Sequence, residues 1–152
     1  MSIPENIAPV SSFQIEHYLG KWYEIARLDH RFERGLTQIS AEYSIREDGG
    51  LKVLNRGYSI EEQEWSEAEG RGYFVNSPNE GYLKVSFFGP FFGSYIVFDL
   101  DMVNYQYALV SGPDKSYFWL LARTPTIDDT LKKKLIAKAT SLGFDTSKLI
   151  FS

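Results

Sequence analysis

From Lys21 to Arg123 the chain alternates short runs rich in Val, Ile, Tyr and Phe with clusters of turn-forming residues at nearly even spacing. Eight such runs fall near residues 21–28, 36–46, 50–58, 65–75, 81–88, 94–100, 105–111 and 117–123. Glu47-Asp48-Gly49-Gly50 joins the second to the third, Asn76-Ser77-Pro78-Asn79 the fourth to the fifth, and Gly112-Pro113-Asp114 the last two. Connections this short make consecutive strands antiparallel neighbours. Eight antiparallel strands with no helix between them predict an all-β, up-and-down barrel, closed so that no edge is left, with room inside for one small ligand or for its own side chains. The period then changes. Ile127, Leu131, Leu135, Ala139 and Leu142 recur at helical spacing with Lys132, Lys133, Lys134 and Lys138 on other faces. This predicts one α-helix over about 126–142, packed on the outside of the barrel, with Thr126 as N-cap and Gly143 at the C′ position. Nothing repeats, no segment is of low complexity, and residues 1–152 read as one domain.

Composition narrows the function. The 152 residues carry 16 Lys plus Arg against 20 Asp plus Glu and no cysteine, which excludes disulfides, thiol nucleophiles and Cys-held metals. The basic residues are scattered among more numerous acids, so no nucleic-acid surface is expected. His17 and His30 stand in no metal-ligand spacing, and no phosphate-binding loop or nucleophile elbow is present, so neither metal nor cofactor nor catalytic residue is expected. Gly70-Arg71-Gly72 marks a strand bend or a close backbone approach. The rings stand out: 11 Phe, 10 Tyr and 3 Trp make 16% of the chain. That area suits a β-rich core or an apolar pocket.

Tyr18-Leu19-Gly20-Lys21-Trp22-Tyr23-Glu24-Ile25-Ala26 places Gly20 and Trp22 at the opening of the first strand. Asp99-Leu100-Asp101 leads into Tyr105-Gln106-Tyr107-Ala108-Leu109-Val110, and Leu121-Ala122-Arg123-Thr124-Pro125 ends the last strand on Arg123. In this order, at these strands, the three segments resemble the three motifs of the lipocalins, over roughly residues 13–151. Trp22 to Gly35 and Val85-Ser86-Phe87-Phe88-Gly89-Pro90-Phe91 further resemble the bacterial outer-membrane lipoprotein branch, which is related to apolipoprotein D. The resemblance implies that Trp22 and Arg123 pack together to plug one end of the barrel, a structural role shared with Gly20. It also implies the periplasm or outer membrane if an export segment has been removed; with Met1 as the true start, the cytoplasm is expected.

Alternation from an inward Trp22 places Glu24, Ala26 and Leu28 inward. Polarity and the resemblance together select Tyr43, Val53, Asn55, Phe74, Val85, Phe87, Tyr95, Val97, Tyr117, Trp119 and Leu121 as inward on the other strands, all but the last as candidate ligand-binding residues. Strands five and eight are apolar on both faces, so polarity does not decide there. Odd-numbered loops share one rim, taken as the mouth, with Asp29 to Gly35, Glu61-Glu62-Gln63-Glu64 and Gly89 to Gly93 on it. Arg31 and Arg34 are candidates for a phosphate or carboxylate head group, and Phe91 for rim contact. An exposed patch of Phe88, Phe91 and Phe92 is expected to meet a membrane, a lipid tail or a second copy in a homodimer. The function implied is non-catalytic binding, storage or transport of a long-chain lipid, a fatty acid or lysophospholipid. The alternative is a lipid isomerase or epoxidase on the same barrel.

Overall fold

The computed structural model describes residues 1–152, apart from the side chain of Phe88. After a four-residue helix α1 (Ile15–Tyr18) come β1 (Gly20–Leu28), β2 (Leu36–Ile45), β3 (Leu51–Ser59), β4 (Glu64–Phe74), β5 (Tyr82–Phe88), β6 (Phe91–Leu100), β7 (Tyr107–Ser111) and β8 (Phe118–Ala122). Helix α2 (Asp129–Ser141) and a short β9 (Leu149–Phe151) follow. From β1 to β8 each strand pairs antiparallel with the next, and β1 closes the ring by pairing with β2 on one side and β8 on the other. The expected barrel is therefore present. The added strand β9 extends the sheet beside the second half of β1, setting Ala26 opposite Phe151 and Leu28 opposite Leu149.

Two apolar layers sit on the two faces of the sheet. The inner layer fills the closed end with Phe13, Tyr18, Trp22, Leu83, Val97, Leu100 and Tyr105. The outer layer packs Leu135 and Ala139 of α2, with Phe144, on Ile25, Ala26, Leu28, Leu109, Phe118 and Leu120. The helix stripe is thus the expected one, but its start is later. Asp128 rather than Thr126 is the N-cap, its carboxylate accepting from the backbone N–H groups of Thr130 and Leu131. Gly143 ends the helix with φ +99°, a conformation suited to glycine.

Alternation fails on β1 because of a bulge between Glu24 and Ala26. One extra residue reverses the faces of all that follow. Trp22 and Glu24 point inward as expected. Ala26 and Leu28, expected inward, lie instead in the layer beneath α2. Two boundaries also moved. β7 begins at Tyr107, because Tyr105 takes φ +51° and hydrogen-bonds back to the Asp101 carbonyl. β6 begins at Phe91, which shrinks the fifth connection to the tight turn Gly89-Pro90, with Gly89 at φ +55°.

Candidate functional site

A cavity of about 730 Å³ opens at the end of the barrel that carries the first, fifth and seventh connections. That is the size range of a small-molecule site. Its wall is lined by Tyr43, Val53, Asn55, Val85, Phe87, Tyr95, Tyr117 and Trp119, which brings together eight of the ten residues selected from the sequence. Val97 is fully buried in the plug beneath, and Phe74 packs there on Phe13. Those two do not reach the cavity. Gly70 lets the Phe87 ring cross its strand: a Cβ at Gly70 would stand 2.7 Å from that ring.

The closed end is built on Trp22. Its indole N–H donates to the Tyr18 carbonyl at 2.8 Å, and the Arg123 guanidinium lies 4.0 Å from its ring centroid. Arg123 donates to the carbonyls of Tyr105, Lys21 and His17, which ties the end of β8 to the approach of β1. Gly20 takes φ +94°, and a Cβ there would stand 3.5 Å from that guanidinium. Above this plug three tyrosines form a chain: Tyr95 Oη is 2.7 Å from both Tyr18 Oη and Tyr43 Oη. Burial pushes all three phenols up from their ordinary range.

Nearer the mouth the wall holds a charged cluster that alternation could not reveal, since the bulge turns Arg27 to the inner side. Arg27 is 2% exposed, and its Nη1 donates to Glu24 Oε2 at 2.9 Å. Its Nη2 donates to the carbonyls of Glu33 and Leu36. The Glu33 carboxylate lies 2.6 Å from His30 Nε2 and accepts from Trp119 Nε1–H at 2.9 Å. Burial, with the Glu33 charge adding to it, raises the Glu24 carboxyl well above its ordinary range despite Arg27. Burial also raises Glu33, but hydrogen bonds from His30 and Trp119 outweigh it and hold that carboxyl low. His30 Nδ1 is buried beside the cavity with no hydrogen-bond partner among the described residues. An inward Glu24 with nothing apolar to justify it was the one sequence signal for this cluster.

At the lip, Arg31 and Phe91 border the cavity as expected, and Phe91 is 79% exposed. Arg34 does not border it; its Nε donates to Asp29 at 2.9 Å. Glu61 to Glu64 also fall outside the lining. The expected Phe patch takes a different form. Phe92 is half-buried among Arg71, Lys84 and Tyr73, and the Phe88 side chain is outside the described residues. On the β5 side, β4 is paired only over Arg71 to Phe74. Ser66, Glu67 and Ala68, above that stretch, are exposed and also line the cavity. Among the described residues no group of His, Asp or Glu is arranged to hold a metal, and no helix is long and apolar enough to cross a membrane.

A family model described as a lipocalin-like domain matches residues 13–152. The outer membrane lipoprotein Blc of Vibrio cholerae serotype O1 is 60% identical over 151 residues, 99% of this chain and 88% of that protein. Its namesake in Escherichia coli K12 is 53% identical over 148 residues, 97% and 83% of the two chains. Among solved structures, insecticyanin of the tobacco hornworm Manduca sexta superposes with a TM-score of 0.77 at 21% identity, covering 99% of this chain and 86% of that one.

Proposed function

The chain belongs to the lipocalin family, and from that premise we propose that it binds and carries one long-chain lipid, a fatty acid or lysophospholipid, without chemical change. The observation that carries this reading is the cavity itself: an apolar, aromatic-walled lumen, plugged below and open above, with its charged groups gathered toward the mouth. An acyl chain suits the lumen. A phosphate or carboxylate head suits the lip, where Arg31 stands over the Phe32 ring, and a zwitterionic head has Glu67 and Arg56 within the same lining. The stretch of β4 at Ser66 to Ala68, unpaired on the β5 side, exposed and lining the cavity, offers the chain a lateral way in, and the exposed Phe91 offers the lip a contact with a lipid surface or a second copy. Kinship with outer membrane lipoproteins supports the periplasm or outer membrane as the working compartment.

Titration with saturated fatty acids and lysophospholipids of increasing length, followed by Trp119 fluorescence, tests the proposal. Each methylene buried contributes about 0.8 kcal/mol, so affinity should rise roughly fourfold per carbon until the lumen is full. Affinity indifferent to chain length, or no response of any tryptophan, overturns it.

A further inference from the structure

Three hydroxyls stand at the floor of the lumen, and they make two hydrogen bonds. Tyr95 Oη is the shared member, 2.7 Å from Tyr18 Oη and 2.7 Å from Tyr43 Oη. Each phenol brings one proton. Two bonds use two protons, so whichever way the chain is oriented one O–H donor is left over. Tyr18 and Tyr43 are 1% and 4% exposed, and among the described residues no other side chain hydrogen-bonds to any of the three hydroxyls. The spare proton sits on whichever phenol the orientation leaves last, and on Tyr43 or Tyr95 it faces the lumen. Tyr43 and Tyr95 line the cavity, whereas Tyr18 lies behind them against Trp22.

A buried donor without a partner costs about as much as a lost hydrogen bond, so the floor favours a ligand that brings an acceptor to it. An ionised acceptor is unsuited. The cation stacked on Trp22, Arg123, uses three of its five N–H groups on backbone carbonyls and is not part of the cavity lining, and a carboxylate buried without a paired charge is heavily penalised. A hydroxyl or keto oxygen meets the spare proton at no such cost. The elevated phenol pKa values agree with this, since they keep the donors protonated across the physiological range.

Resting on the carrier reading, we propose that the tyrosine floor recognises a neutral oxygen near the far end of the bound chain, so that the ligand class is a long-chain lipid oxygenated toward its terminal methyl. The polar head stays at the mouth, and the second oxygen is read at the bottom. A floor of this kind ranks lipids by oxidation state as well as by length.

The probes are lauric, myristic, palmitic and stearic acids and their ω-hydroxy counterparts, titrated calorimetrically. A terminal hydroxyl buried without a partner would weaken binding by roughly tenfold or more at every length. With the triad as partner, at the length that reaches the floor, the ω-hydroxy acid binds as tightly as its parent or up to roughly tenfold tighter. Tyr18→Phe leaves two hydroxyls, one bond and one spare proton, so it retains that ranking. The double variant Tyr43→Phe with Tyr95→Phe removes both cavity-facing hydroxyls and reverses it, while parent acids still bind. A penalty on the hydroxyl at every length in the unsubstituted chain overturns this inference alone, and so does a ranking that survives in the double variant. Absence of binding by either series overturns the carrier reading with it. The comparison on the unsubstituted chain needs no variant to fold.

Discussion

Glu24 is a carboxyl held 3% exposed in the wall of an apolar lumen, and its elevated pKa has a consequence for stability. The folded state keeps a proton that the unfolded chain releases in the ordinary glutamate range. Stability from this group is fully present below that range and is lost as pH rises through the elevated value. Glu33, held low by His30 and Trp119, acts in the opposite sense: its contribution is present above the ordinary range and lost as pH falls through its folded value. Urea unfolding between the ordinary glutamate range and the Glu24 midpoint should therefore show a fall of up to about 1.4 kcal/mol per pH unit that is missing in Glu24→Gln. An identical slope in both proteins would remove Glu24 as its source. The inward placement of Glu24 was legible, because it is one alternation from Trp22. Its partner Arg27 was not, since a bulge has no signature in the polar and apolar pattern of Glu24-Ile25-Ala26.

At the scale of elements, strands and helix were legible wherever periodicity or turn chemistry marked them, and boundaries moved where a backbone interaction competed. Helix α2 shows the rule. Thr126 and Asp128 are both cap-forming residue types, and which of them caps depends on where the backbone leaves β8. Asp128→Ala should cost about 1 kcal/mol in urea stability, whereas Thr126→Ala, at the rejected position, should cost nothing comparable. Strand β6 gained Phe91, Phe92 and Gly93 because a tight Gly89-Pro90 turn brings Phe88 and Phe91 opposite each other. Strand β9 was invisible: Leu149-Ile150-Phe151 is too short to carry a pattern, and it is a strand only because β1 offers it an edge.

For the molecule as a whole, the pocket was legible in outline because two-residue alternation converts directly into inside and outside. Tyr43 and Val53 on facing positions of β2 and β3 illustrate this. How deep the plug rises was not legible. Val97 and Phe74 have the right parity but stand below the floor, where Phe13 and Tyr105, from outside the strands, fill the lumen. If the remaining space is the binding site, occupying it with protein should abolish binding and leave the fold intact. Val85→Trp, a cavity-lining position facing open lumen, should weaken fatty-acid binding by roughly tenfold or more while the thermal midpoint shifts by only a few degrees. Unchanged affinity would place the ligand elsewhere.

Strand β1 is hydrogen-bonded to three partners, and two of them, β8 and β9, come from the last quarter of the sequence. During synthesis the ring therefore cannot shut until nearly the whole chain has left the ribosome. Until then β1 waits as a bare edge with an indole and a buried-to-be arginine in water. Closure entropy must be met before the distant contacts return anything, so folding is expected to be slow, and the open sheet is the species that a chaperone would hold.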